Sequence, residues 1–241
     1  MIDVLRELVD SVSGLGFDVI KVTANDDATV FEAVNNDRTA IMKARTKAPI
    51  DGLTGVFGLS NLSVLGGILS LSSMRAGEVE VKTKHGEVEE LVFTGADGAR
   101  AVYRVMAENA VPKQPTFRSP EWDVTVENVG KAAMARFKEQ AGVFGSVGGN
   151  KFTPSAQDGQ LIMEIGEAGS SNHSTRFVLT ECTGDMPATF KYQNAHTSTV
   201  LALTNHKTLT LHFSAKGVMQ AEIGAEDDAV MSVNFIFPGH S

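Results

Sequence analysis

A single cysteine, Cys182, stands in a chain of 241 residues, so no internal disulfide can brace it, and the chain suits a reducing cytoplasm. No apolar run reaches the roughly 18 residues that a membrane-crossing helix needs, so no membrane role is expected. The opening MIDVLRELVDSV reads as an acidic amphipathic helix, which is neither a signal nor a transit peptide. Neither a GxxxxGK[ST] phosphate loop nor a GxSxG elbow is present. The glycine-rich GSVGGN (145–150) has no lysine and is expected to be a turn. His196, His206 and His212 recur without the acidic or thiol partner that a metal site requires. Cys182, in ECTGD, reads as an inert thiol where a strand enters a turn, and the carboxylate pairs Glu89-Glu90 and Asp227-Asp228 read as solvated. No catalytic constellation emerges, so the chain is expected not to be an enzyme and to need no cofactor and no metal. The net charge of −8 excludes a protein that holds nucleic acid by bulk positive charge, but not one with a local basic patch.

What is present is the composition of a soluble globular chain, 42% apolar and 21% charged. Val4, Leu5, Leu8 and Val12 share one face of the first helix, with Asp3, Arg6, Glu7 and Asp10 opposite. Strands are expected over 17–22, 28–34 and 38–47, separated by NDD and NND turns. A charge-free helix follows over roughly 58–72, then two strands around His85-Gly86 within 78–93, and another strand over 98–106. Three of the seven prolines fall in AENAVPKQPTFRSPE (107–121), which marks a connector near the midpoint. Domains are therefore expected over 1–111 and 121–241, joined by 112–120.

The second half repeats the order of the first. It offers a strand over 122–126, a helix over 127–142, strands over 160–167 and 174–183, a second neutral helix near TSTVLAL, and three closing strands. VLGGILSL matches TVLALT in position, EVEVKT matches TLTLHF, EVEELVF matches VMQAEI, and RAVYRV matches VMSVNF, which reads as internal duplication. The helix from Asn128 to Ala141 turns Lys131, Arg136 and Lys138 away from its apolar face, with Ala132 and Ala135 between them. Lys131 and Lys138, seven apart, are aligned.

NLSVLGGILSL followed by a strand pair, the proline-rich connector, and the terminal NFIFP strand resemble the sliding clamps of DNA replication. Those of T-even-type phages are the nearer likeness, and the proliferating cell nuclear antigen (PCNA) of eukaryotes the more distant one. The resemblance implies an α+β fold of two similar clamp-fold domains, each with two helices packed on antiparallel sheets. It further implies a homotrimeric ring around double-stranded DNA, a processivity factor bound non-specifically by enclosure. The ring's partners would be the phage DNA polymerase, a clamp loader ATPase and transcription factors of late transcription, in the cytoplasm of the bacterial host. Ser63, Gly66, Gly67 and Ser70 on the first neutral helix, and Asn194, Ser198 and Ala202 on the second, would face the duplex. Lys131, Arg136 and Lys138 would line the DNA channel, with Arg6, Arg75 and Lys207 beside them. The first helix departs from this pattern, since Asp3, Glu7 and Asp10 outnumber Arg6. The resemblance also implies a partner-peptide pocket at Val111, Pro112, Phe117, Phe235, Phe237 and Pro238. The subunit interface would pair GARAVYRVM with STRFVLTEC, with Tyr103 and Phe177 contributing. The alternative is a structural trimeric β-rich phage protein of the tail or baseplate, with no DNA role.

Overall fold

The computed structural model describes residues 1–115, 117–147, 149–166, 173–202, 208–224 and 231–240. His206, Lys207, Asp227 and Asp228 lie outside them. The chain divides into two compact units, Met1–Thr116 with Val230–Val233, and Phe117–Ala229 with Asn234–Ser241.

In the first unit, helix α1 (Ile2–Val12) buries Ile2, Val4, Leu5, Leu8 and Val12, spaced so that one stripe faces the core. Four strands follow: β1 (Val19–Ala24), β2 (Thr29–Val34), β3 (Ile41–Thr46) and β4 (Gly55–Ser60). They pair antiparallel in the order β4-β1-β2-β3. Buried Asn35 closes the β2–β3 turn: its Nδ2 donates to the Leu15 carbonyl at 3.1 Å, and its Oδ1 accepts from the Ala40 amide at 2.8 Å. Helix α2 (Leu62–Ser70) starts after Asn61, which holds a left-handed φ of 52°, a conformation Asn tolerates better than most residues. β5 (Glu78–Lys84), β6 (Glu87–Thr94) and β7 (Arg100–Arg104) form a separate sheet in that order. His85 and Gly86 turn β5 into β6 with positive φ at both positions, the geometry that fits the twist of a tight hairpin. β8 (Met106–Ala107) pairs with β4.

The second unit comprises β9 (Val124–Val126), α3 (Lys131–Gly145), β10 (Lys151–Gln157), β11 (Gln160–Ile165), β12 (Thr175–Glu181), β13 (Tyr192–Gln193), α4 (Asn194–Ala202), β14 (Leu209–Ser214), β15 (Val218–Ile223) and, from Asn234 onward, β16 (Met231–Pro238), whose first residues fall in the first unit. One of its sheets runs β13-β10-β11-β12, and another run of strands is ordered β16-β15-β14-β9. The core is a chain of ring contacts, Phe137–Phe152 at 5.1 Å, Phe152–Tyr192 at 5.7 Å and Tyr192–Phe213 at 6.3 Å.

The two orders coincide. β4-β1-β2-β3 and β13-β10-β11-β12 are the same arrangement, as are β5-β6-β7 and β14-β15-β16, with a helix in the same place before each set. The fold is α+β, built twice.

Several local expectations give way. The neutral helix is shorter than 58–72, because residues 55–60 form β4. β10, across KFTPSAQ, was legible to no strand rule because proline breaks central ladders. Here Pro154 faces Met163 of β11, while β13 pairs with β10 only at Lys151 and Phe152, so the missing amide is needed by neither neighbour. α3 begins at Lys131, not Asn128, and runs on to Gly145, because Val129 stays outside it and donates its amide to the Leu209 carbonyl.

Candidate nucleic-acid interface

Each unit presents one pair of helices packed together, α1 with α2 and α3 with α4. Gly66 lets the first pair close: a Cβ at that position would stand 3.1 Å from Val9 Cγ1. On the outer side of α2, Ser63, Gly67 and Ser70 are exposed, Gly66 is half-exposed and Val64 is 54% exposed, so this surface is uncharged and mostly small. In α4, Ser198 is half-exposed, but Asn194 is a correction to the expected face. It is buried, and its Nδ2 donates to the Gly149 carbonyl, because the first residue of this helix tethers it to the loop before β10. The side chain of Ala202 lies outside the described residues.

Of the expected channel cations, Lys131 is exposed and Lys138 half-exposed, and neither forms an ion pair among the described residues. Arg136 is exposed but already engaged, since its Nη1 donates to the Val178 carbonyl of β12 at 2.8 Å. Lys207 lies outside the described residues. Arg6 and Arg75 come together in a cleft of about 430 Å³ between α1 and α2, with Asp10, Gly66 and Ser70 on its walls, over Val9 and Leu69. Arg6 Nη1 is held by Asp3 at 2.8 Å, while its Nη2 is sealed from solvent with no acceptor among the described residues. Asp3 and Asp10 are exposed beside it, so the acidic character of α1 persists in the fold.

The residues expected at the partner pocket divide by unit. In the first unit, Val111 is half-buried, with Cγ2 3.0 Å from where a Cβ on Gly58 would be, and Pro112 is exposed. In the second, Phe117 is half-buried and Pro238 exposed. Phe235 and Phe237 are corrections to the expected pocket, since neither is presented at the surface. Two apart, they share the inward face, are 0% and 3% exposed, and stack on each other at 6.3 Å, with His196 5.8 Å from Phe237.

The expected interface strands β7 and β12 each lie at the end of a sheet order, with one free ladder edge among the described residues. Tyr103 is a correction: it is 3% exposed, donates its hydroxyl to the Ser60 carbonyl, and burial raises its pKa far above the ordinary tyrosine value. It spends its area inside its own unit. Among the exposed residues of β7 (Arg100, Val102 and Arg104) the apolar one is Val102, 46% exposed, and among those of β12 (Arg176, Val178 and Glu181) it is Val178, 37% exposed, beside half-buried Phe177. Strand parity would have found Val102, since Tyr103 and Val102 must point to opposite faces. Among the described residues no cluster of His, Cys, Asp or Glu is arranged to hold a metal.

No protein-family model matches the sequence, and neither does any curated protein. Solved structures do match. PCNA of A. fulgidus, bound to the C-terminal region of FEN-1, aligns with a TM-score of 0.76 at 12% identity, covering 100% of this chain and 96% of that one. A PCNA2–PCNA3 complex from Sulfolobus tokodaii gives 0.74 at 11% identity, covering 99% and 96%. PCNA from Entamoeba histolytica gives 0.73 at 11% identity, covering 100% and 96%. The chain has the sliding-clamp fold.

Proposed function

We propose that this chain is a DNA sliding clamp: copies join into a ring, the ring encloses duplex DNA, and it tethers a replicative DNA polymerase without catalysing a reaction. The observation that carries the reading is the doubled clamp fold, with identical strand order in both halves and a helix pair on each. That doubling also favours the clamp over a tail or baseplate component, which has no need of it.

Retention by enclosure explains the charge. Grip through phosphates alone gives only about 10⁻⁴–10⁻⁶ M at physiological salt, whereas a closed ring stays on without affinity. An acidic chain can therefore track DNA if its helix surfaces are small, neutral or sparsely basic. Ser63, Gly67 and Ser70 supply the neutral part, and Lys131 and Lys138 the cations, with Arg6 and Arg75 at the α1–α2 cleft. Arg136 would act less directly, through β12. The ring would be a homotrimer joined between β7 of one copy and β12 of the next, with Val102 and Val178 at the junction. A clamp loader ATPase would open it, and Val111, Pro112, Phe117 and Pro238 would offer contact to partner peptides, transcription factors among them. A phage origin of the T-even type and action in the bacterial cytoplasm complete the reading.

The test is retention on circular against linear DNA after loading with a loader and ATP. A ring stays on the circle and runs off the linear ends; equal retention on both would overturn the proposal.

A further inference from the structure

We infer that the outward face of strands β1, β2 and β3 is a docking surface for an acidic amphipathic helix of a partner protein. Alternation puts Val22, Phe31 and Met42 in the core, so their neighbours along each strand point the other way. Register sets those neighbours side by side: Lys21 beside Glu32 beside Lys43, and Thr23 beside Val30 beside Arg45. The face thus carries three cations to one carboxylate, in a chain whose net charge is −8. Glu32 lies 3.9 Å from Lys21 and 3.7 Å from Lys43, yet Lys43 stays mostly exposed. Arg45 is exposed and forms no ion pair among the described residues. Val30, Val34 and Ile41 are half-buried between and beside these charges, so the face is apolar and basic at once. On the β4 side it ends at Gly58, where a Cβ would stand 3.0 Å from Val111 Cγ2 and 3.1 Å from Met106 Cβ.

Charge and geometry choose the occupant. An acidic partner is repelled by the chain as a whole and met here by cations. A nucleic acid fits less well, because Glu32 stands in the middle of the face and no aromatic side chain there offers a base a stacking surface. An extended peptide fits less well too. The ladders of β1 and β2 are paired on both sides, so such a peptide would lie across the face with its own amides unmatched. A helix keeps its backbone bonds internal and brings an apolar stripe for Val30, Val34 and Ile41. Carboxylates four residues apart on a helix are separated by about 6 Å along its axis. Lys43 and Arg45, two apart on a strand, are separated by about 6.8 Å, so one acidic pair can meet both. The surface stands whether or not the chain closes into a ring, and the clamp reading supplies only the kind of partner, a protein tethered to DNA.

The probe is a synthetic helical peptide, fluorescein-labelled, with two glutamates four residues apart beside a leucine stripe. It is titrated with the full chain and followed by fluorescence anisotropy. Saturable binding is expected, with backbone NMR shifts at Val30, Ile41, Lys43 and Arg45, and a peptide with lysine for both glutamates should bind about tenfold more weakly. Lys43→Glu and Arg45→Glu should each weaken the acidic peptide about three- to tenfold, as an exposed ion pair gives way to a like-charge contact. Glu32→Gln should tighten it about two- to fivefold, because the one carboxylate facing the peptide is gone. Lys84→Glu, at the end of β5 in the other sheet, should change nothing. Lys43 and Arg45 lie open, so both variants keep the fold. No saturation below about 1 mM peptide, or equal binding of the acidic and basic peptides, overturns the site. So does unchanged affinity in Lys43→Glu and Arg45→Glu. An oligothymidine is titrated in parallel: if it binds more tightly than the acidic peptide and loses that binding in Lys43→Glu, the face serves nucleic acid and the helix is overturned. No arm uses DNA loading, so failure of ring retention would sink the clamp reading and leave this titration readable.

Discussion

Replacing Val102 by glutamate should stop copies of this chain from joining while each copy stays folded. Val102 is 46% exposed on the free edge strand β7, and Val178 is 37% exposed on β12. Fully burying a valine is worth about 1.5–3 kcal/mol, so covering what remains open on both contributes roughly 1–2.5 kcal/mol per junction. Glutamate forfeits the Val102 share and adds the cost of drawing a carboxylate out of water, which is several kcal/mol when no partner meets it. Each junction should therefore weaken by about a hundredfold or more. In sedimentation velocity the wild-type 25.7 kDa chain should run as a trimer, and the variant at the same concentration as a monomer. Its thermal unfolding should move little, because exposed substitutions of this kind stay within about 0.5 kcal/mol. Tyr103→Phe is the contrasting variant, since it keeps the outer surface and strips the Ser60 carbonyl of its donor. That change should cost about 1 kcal/mol of fold stability and leave association alone. A Val102→Glu chain that still sediments as a trimer would refute the reasoning and remove β7 from the junction.

Lys131→Glu with Lys138→Glu should shorten residence on circular DNA while the assembled mass is unchanged; a loss of mass would show the lysines to be structural. Phe237→Ala should lower stability by about 3–5 kcal/mol, because it deletes a buried ring stacked on Phe235 and His196. Calorimetry showing a loss below about 1 kcal/mol would put Phe237 outside the core and restore it as a partner contact. His212 has its pKa lowered by burial first, with Glu222 and Glu127 pulling it back up. A folded-state value below the ordinary 6.5 means the unfolded chain takes up the proton more readily, so stability present above pH 6.5 is lost as pH falls through the folded value. His212→Gln should flatten that part of the decline in melting temperature, and identical slopes for the two chains would show that His212 does not titrate in this way.

Legibility followed the range of the interactions. The repeat was visible because it lies in the order of short periodic segments: the LSVLGGILS helix before β5 and the neutral helix before β14 need no tertiary knowledge. β4 and β10 were hidden for opposite reasons, the one flanking a neutral helix that absorbed it, the other carrying a proline that only its neighbours make tolerable. The site residues divided along the same line. Lys131 and Lys138 could be placed on an open face from helical spacing alone. Tyr103, Phe235, Phe237 and Asn194 could not, since aromatic size or amide chemistry suits both a surface contact and a core.

By itself the sequence determined the class of molecule: two α+β halves in one order, no disulfide, and neutral short helices whose surfaces follow from a period of 3.6 residues. Only the tertiary structure decided which strands are edges, which member of the Val102–Tyr103 pair faces outward, and that Arg6 and Arg75 share a cleft. Periodicity is encoded within a few residues, but pairing and convergence are relations between segments far apart in the chain. Their free energies depend on what each segment meets, and a reading of one segment at a time contains no term for that.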